Sequence, residues 1–95
     1  MLKQYVTRLI ALSGLSVVTF TNKFVALYGM RPKQWLDERL KTAIIDMAQD
    51  EGMTPTLIAQ ELDMPPQRLN DFTQRVWNLP AGEALRQARE GKLLV

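Results

Sequence analysis

The chain has 95 residues, 46% of them hydrophobic and 23% charged, with 12 basic and 10 acidic side chains and a net charge of +2. That is enough apolar material for one small domain, or two very small subdomains sharing a helix, and it argues against global disorder. Cysteine and histidine are both absent, which removes disulfides, thiolate nucleophiles, Ser-His and Cys-His dyads and the imidazole ligands of most metal sites.

Residues 2–12 read as a first helix, because Leu2, Val6, Leu9 and Ile10 recur at helical spacing. Ser13-Gly14 is a turn, and Ser16 is an N-cap for a second helix over residues 16–28. In that helix Phe20, Phe24, Leu27 and Tyr28 form one apolar stripe, expected to be buried. The opposite face carries Val18, Thr21, Asn22 and Val25, uncharged and small or hydrogen-bonding. Gly29 suits the helix stop, and Pro32 opens a third helix reaching about Ala48. Its predicted inner stripe is Leu36, Leu40, Ala43, Ile44 and Met47, widened by Trp35 and Ile45.

Thr54-Pro55 restarts the chain with a short helix to about Glu61, and Asp63-Met64-Pro65-Pro66 is a turn. Pro66 opens a helix to about Trp77 with Leu69, Phe72 and Val76 inward. A last helix covers about 81–89 with Ala84, Leu85 and Ala88 inward, followed by the short tail GKLLV. No segment alternates as a strand does, so the predicted fold class is all-α, with six to seven helices. A weak internal repeat runs through this pattern: Phe24 precedes Pro32 by the same interval as Phe72 precedes Pro80. Twice, two helices meet at a tight turn and lead into a proline-opened helix, the pattern of a helix-turn-helix.

Charge is unevenly spread. Residues 1–36 contain Lys3, Arg8, Lys23, Arg31 and Lys33 and no acid, while residues 37–95 sum to −3. A uniformly basic segment is what a phosphate backbone attracts. No apolar run approaches the roughly 20 residues of a membrane span, and the start MLKQYVTRL lacks the core of a signal peptide. The expectation is a cytoplasmic protein with no membrane partner. No glycine-rich phosphate loop occurs either, and the acids Asp46, Asp50 and Glu51 read as a solvated helix end. An enzyme is not expected, nor is a cofactor or metal.

The first half, G14-L-S-x3-F20-x3-F24-x4-G29-M-x-P32-x2-W35-L36, resembles the DNA-binding domain of the AraC/XylS family of bacterial transcription regulators. The second half is a looser match: Asp63 stands where that family usually has Gly, and Asn78-Leu79-Pro80 replaces its Gly-x-x-Pro. The family also has a further helix ahead of its first unit, which the residues before Tyr5 do not match. The resemblance implies one domain over 1–95: a helix-turn-helix at 1–31, a linking helix at 32–51 that holds a second unit in phase, and that second helix-turn-helix with a terminal helix at 52–95. It implies transcription regulation through sequence-preferring contact with double-stranded DNA by recognition helices at 16–28 and 66–77.

On that reading Val18, Thr21 and Asn22 would meet base edges, Asn22 as a partner for adenine and Val18 for a thymine methyl. Gln67, Arg68 and Asn70 would do the same on the second recognition helix. Ser16, Thr19, Lys23, Arg31 and Lys33 are the candidate backbone contacts. No arginine lies on the first reading face, so the commonest guanine contact is missing there. Asp71, Glu61 and Asp63 sit poorly beside phosphate. The competing reading is a protein-interaction module on a degenerate helix-turn-helix scaffold, contacting RNA polymerase, another regulator or a second copy.

Overall fold

The structure is a computed structural model that describes residues 2–93, with side chains from Thr7 onward. The predicted stripe positions Leu2 and Val6, and the tail residues Leu94 and Val95, lie outside the described side chains. Among the described residues the chain forms six helices and no strand: α1 (Leu2–Ser13), α2 (Val17–Tyr28), α3 (Pro32–Ala48), α4 (Pro55–Glu61), α5 (Pro66–Trp77) and α6 (Ala81–Arg89). No single helix among them is long and apolar enough to cross a membrane.

Local chemistry sets the helix ends. The Ser16 hydroxyl accepts from Thr19 N at 3.2 Å, and Thr54 Oγ1 accepts from Leu57 N at 3.2 Å, each satisfying an orphan donor of a first turn. Pro32, Pro55 and Pro66 each open a helix where the missing N–H has no partner to lose. Gly29 closes α2 at φ 75, and Asn78 closes α5 at φ 57, both left-handed. Asp63 also turns left-handed, at φ 54, between α4 and α5. It does so without the glycine that this conformation favours.

The chain divides inside α3 into two compact units, residues 1–40 and 41–95. In the second unit α4, α5 and α6 pack on one another. Ile58 and Ala59 of α4, Leu69 and Phe72 of α5, and Ala84, Leu85 and Ala88 of α6 are buried, as are Ile44 and Ala48 from the end of α3. Thr73 is fully buried too, and its hydroxyl donates to Asn70 O at 3.1 Å. Val76, expected inward, is only half-buried, in the last turn of α5 beside the half-buried Trp77.

Two side chains bind this unit across long sequence separations. Arg89 Nε donates to Ala48 O at 2.8 Å, and Arg89 Nη2 donates to Asp50 O and Met53 O. These carbonyls belong to the end of α3 and the loop after it, where helix geometry leaves acceptors unsatisfied. Gln49 Nε2 donates to Ala88 O at 3.2 Å. On the surface of α6, Arg86 bridges Glu83 and Glu90.

In the first unit α1 and α2 pack together, with the Thr7–Ser13 and Val17–Tyr28 axes at 97°. Gly14 makes that turn at φ 69. Here the predicted burial fails. α2 buries no residue: Phe20 and Phe24 are half-buried, Tyr28 is 53% exposed and Leu27 is 78% exposed. Leu27 lies about 60° round the helix from Phe24, on a flank that neither α1 nor the start of α3 covers. Trp35, expected in the core, is half-buried and meets the Phe24 ring edge-on at 5.8 Å and the Tyr28 ring at 5.8 Å. Pro32 and Leu36 are buried in this unit.

Three outcomes follow for stability. Asp63→Gly raises the unfolding free energy by about 0.5–1 kcal/mol in a urea titration, since the left-handed cost exceeds the extra unfolded-state entropy, whereas Asp63→Val lowers it. Arg89→Ala lowers it by about 1–2 kcal/mol, the scale of charge-assisted hydrogen bonds to carbonyls at a partly solvated site. The Glu83 carboxyl is held down, from an ordinary 4.5 to about 2, chiefly by its hydrogen bond from Arg86 and then by that from Gln87. A depressed folded pKa stabilises above the unfolded value, so this contribution is intact above pH 4.5 and is lost as pH falls toward 2. Glu83→Gln therefore flattens the acid limb of a stability–pH profile within that window and leaves the profile above it parallel to that of the parent chain.

Candidate nucleic-acid interface

Serine capping at Ser16 fixes where α2 begins and so which of its residues share a face. Val18, Thr21, Asn22 and Val25 project from one side. Val18 is 69% exposed and Val25 38% exposed, Asn22 is exposed, and Thr21 is half-buried. An exposed valine beside an exposed asparagine leaves one apolar and one bidentate polar group available together, the pair that could meet a thymine methyl and an adenine edge.

The cations group with this helix in the first unit. Lys23 on α2, Arg31 in the turn after it and Lys33 in the first turn of α3 are all exposed. Residues 1–36 contain no carboxylate, so Asp37 and Glu38 are the only acids of the unit that could neutralise them. Ser16 and Thr19 are exposed at the N-terminus of α2. Ser16 Oγ donates to Thr19 Oγ1 at 2.9 Å while accepting from Thr19 N. Their hydroxyls are first of all parts of a cap, and a phosphate there would meet the helix N-terminus itself.

On α5 the predicted readers separate. Arg68 is exposed. Gln67 is exposed too, with Nε2 donating to Asp71 Oδ1 at 2.9 Å, so its amide is held by a neighbouring acid. Asn70 differs from both in facing the fold. It is half-buried, and its Oδ1 accepts from Ala81 N at 3.0 Å. Pro80 precedes α6 and has no side chain that can cap it, so Asn70 supplies the missing acceptor from one helix earlier. The spacing that put Asn70 among the readers is genuine, but its amide oxygen is engaged in closing the fold.

Two features of the first unit escaped the reading of the residues. One is a trough of about 410 Å³ whose walls include Leu9, Leu15, Phe24, Leu27 and Trp35, with Lys23 at its side. The other is the exposure of Leu12, at 78%, one turn beyond Leu9 on α1. Both follow from incomplete covering of an amphipathic pair. The only sequence signal was the width of the apolar arc on α2, which runs from Leu27 through Phe24 to Val25. Among the described residues no three acidic groups gather as a metal site requires.

No protein-family model, curated protein or solved structure matches the chain.

Proposed function

We propose that the chain binds double-stranded DNA with a sequence preference and acts as a transcription regulator, α1–α2 and α4–α5 serving as two helix-turn-helix units. The observation that carries this reading is the basic first unit, free of acids over residues 1–36, which presents Val18 and Asn22 side by side on an exposed helix face. The 97° between α1 and α2 falls within the range of about 90–120° usual for a helix-turn-helix. Left-handed Asp63 supports the register of the AraC/XylS resemblance in the second half, since it stands where that family usually has glycine, whereas left-handed Asn78 lies one residue past the position that Gly-x-x-Pro would give it.

In this reading α2 enters a major groove. Asn22 pairs with an adenine, Val18 packs on a thymine methyl, and Thr21 contacts either base type from its half-buried position. Lys23, Arg31 and Lys33 neutralise phosphates and fix register. Arg68 and, after release from Asp71, Gln67 are what α5 contributes. With acids at Glu61, Asp63 and Asp71 close in sequence, α5 is the weaker reader.

Anisotropy titrations with random-sequence and selected duplexes at two salt concentrations test this. Binding that weakens steeply with salt is expected, and no binding at low salt would refute the proposal. Asn22→Ala should relax base preference at one position, a loss of about 1–3 kcal/mol of discrimination. Lys33→Ala should weaken every duplex alike and reduce the slope of log K against log salt by about 1. If both variants weaken all duplexes equally, Asn22 is not a reader.

A further inference from the structure

The trough in the first unit is built for something other than a phosphate. Its walls include Leu9 and Leu15 from α1 and the turn, Phe24 and Leu27 from α2, and Trp35 from α3. Leu27 and Leu12 are each 78% exposed. Leu27 thus extends the apolar lining of the trough to an open edge. The concavity accepts a convex apolar ridge, such as the i, i+3, i+4, i+7 stripe of an α-helix.

Charge selects among helices. Lys23 lines the trough on α2, and the unit carries six basic residues against Asp37 and Glu38, with no acid over residues 1–36. A helix with basic flanks would be repelled, and one with carboxylates beside its apolar stripe would be attracted. An anionic bilayer shares the charge but not the shape. A flat surface would reach the exposed Leu27 and leave the half-buried Phe24 and Trp35 rings less covered than a ridge would.

We propose that the trough between α1, α2 and the start of α3 docks an acidic amphipathic helix of a partner protein, anchored on Leu27 and Trp35 and oriented by Lys23. The apolar anchors lie away from the face proposed to read DNA, because Leu27 and Val18 are about 180° apart on α2, and Lys23 is the residue common to both readings.

The test uses the full chain and a fluorescein-labelled peptide helix of about four turns, with leucines at i, i+3, i+4 and i+7 and glutamates on both flanks. Two control peptides replace the glutamates by lysine or scramble the order so that the stripe is lost. Phosphatidylglycerol vesicles form a fourth arm. The acidic peptide should bind at least tenfold more tightly than either control, and Leu27→Glu should weaken it at least tenfold. Far-UV circular dichroism and the thermal midpoint should not change in that variant, since Leu27 is already exposed. Lys23→Glu should shift preference from the acidic toward the lysine peptide. Equal binding of the three peptides, full binding by Leu27→Glu, or binding to the vesicles alone would overturn the proposal.

Discussion

Leu69 and Phe72 are buried on α5, which packs against both α4 and α6. The second unit rests on that contact. Each of these side chains removes roughly 1.5–3 kcal/mol worth of apolar surface from water, and the small residues Ala59, Ala84 and Ala88 allow the backbones to come close around them. Because the packing is closed, the remaining polar groups must be satisfied internally. Thr73 finds Asn70 O, Ala81 N finds Asn70 Oδ1, and the acceptors after α3 find Arg89. A hydrogen-bond network of this kind is a consequence of burial, not an addition to it.

The first unit repeats the pattern of helices without repeating the closure. Its aromatic rings, Phe20, Phe24, Tyr28 and Trp35, make a ladder with centroid distances from 4.5 to 5.9 Å. Such pairs give geometric order beyond their buried area, which is how α2 and the start of α3 hold together with no fully buried side chain on α2. The same arrangement leaves one flank of α2 apolar and uncovered. This unit also carries an excess of basic residues over its acids Asp37 and Glu38.

The contrast reverses an ordering suggested by sequence. The half with the sharper motif has the looser packing, and the half with the blurred motif has the better core. Motif sharpness reports turn and cap chemistry, as at Ser16, Gly29 and Pro32. Core closure reports how many apolar faces meet, a property of three helices at once. Asp63 and Asn78 illustrate the difference, since both hold the left-handed conformation in place of glycine and the surrounding packing bears the local cost.

Sequence alone indicated an all-α chain of six to seven helices with caps at Ser16, Gly29 and Thr54 and no strand alternation, because helical period, N-cap oxygens and proline positions act over one or two turns. It also determined the charge asymmetry that motivates the nucleic-acid reading. Tertiary structure decided which stripes were covered: Leu85 and Ala88 as expected, Leu27 and Tyr28 not. It decided that Asn70 caps α6 and that Arg89 holds the end of α3, contacts separated by 11 and 41 residues. Periodicity gives the direction in which a side chain points from its own helix axis. Whether another helix lies there depends on packing among distant segments, and no local pattern in the chain encodes that.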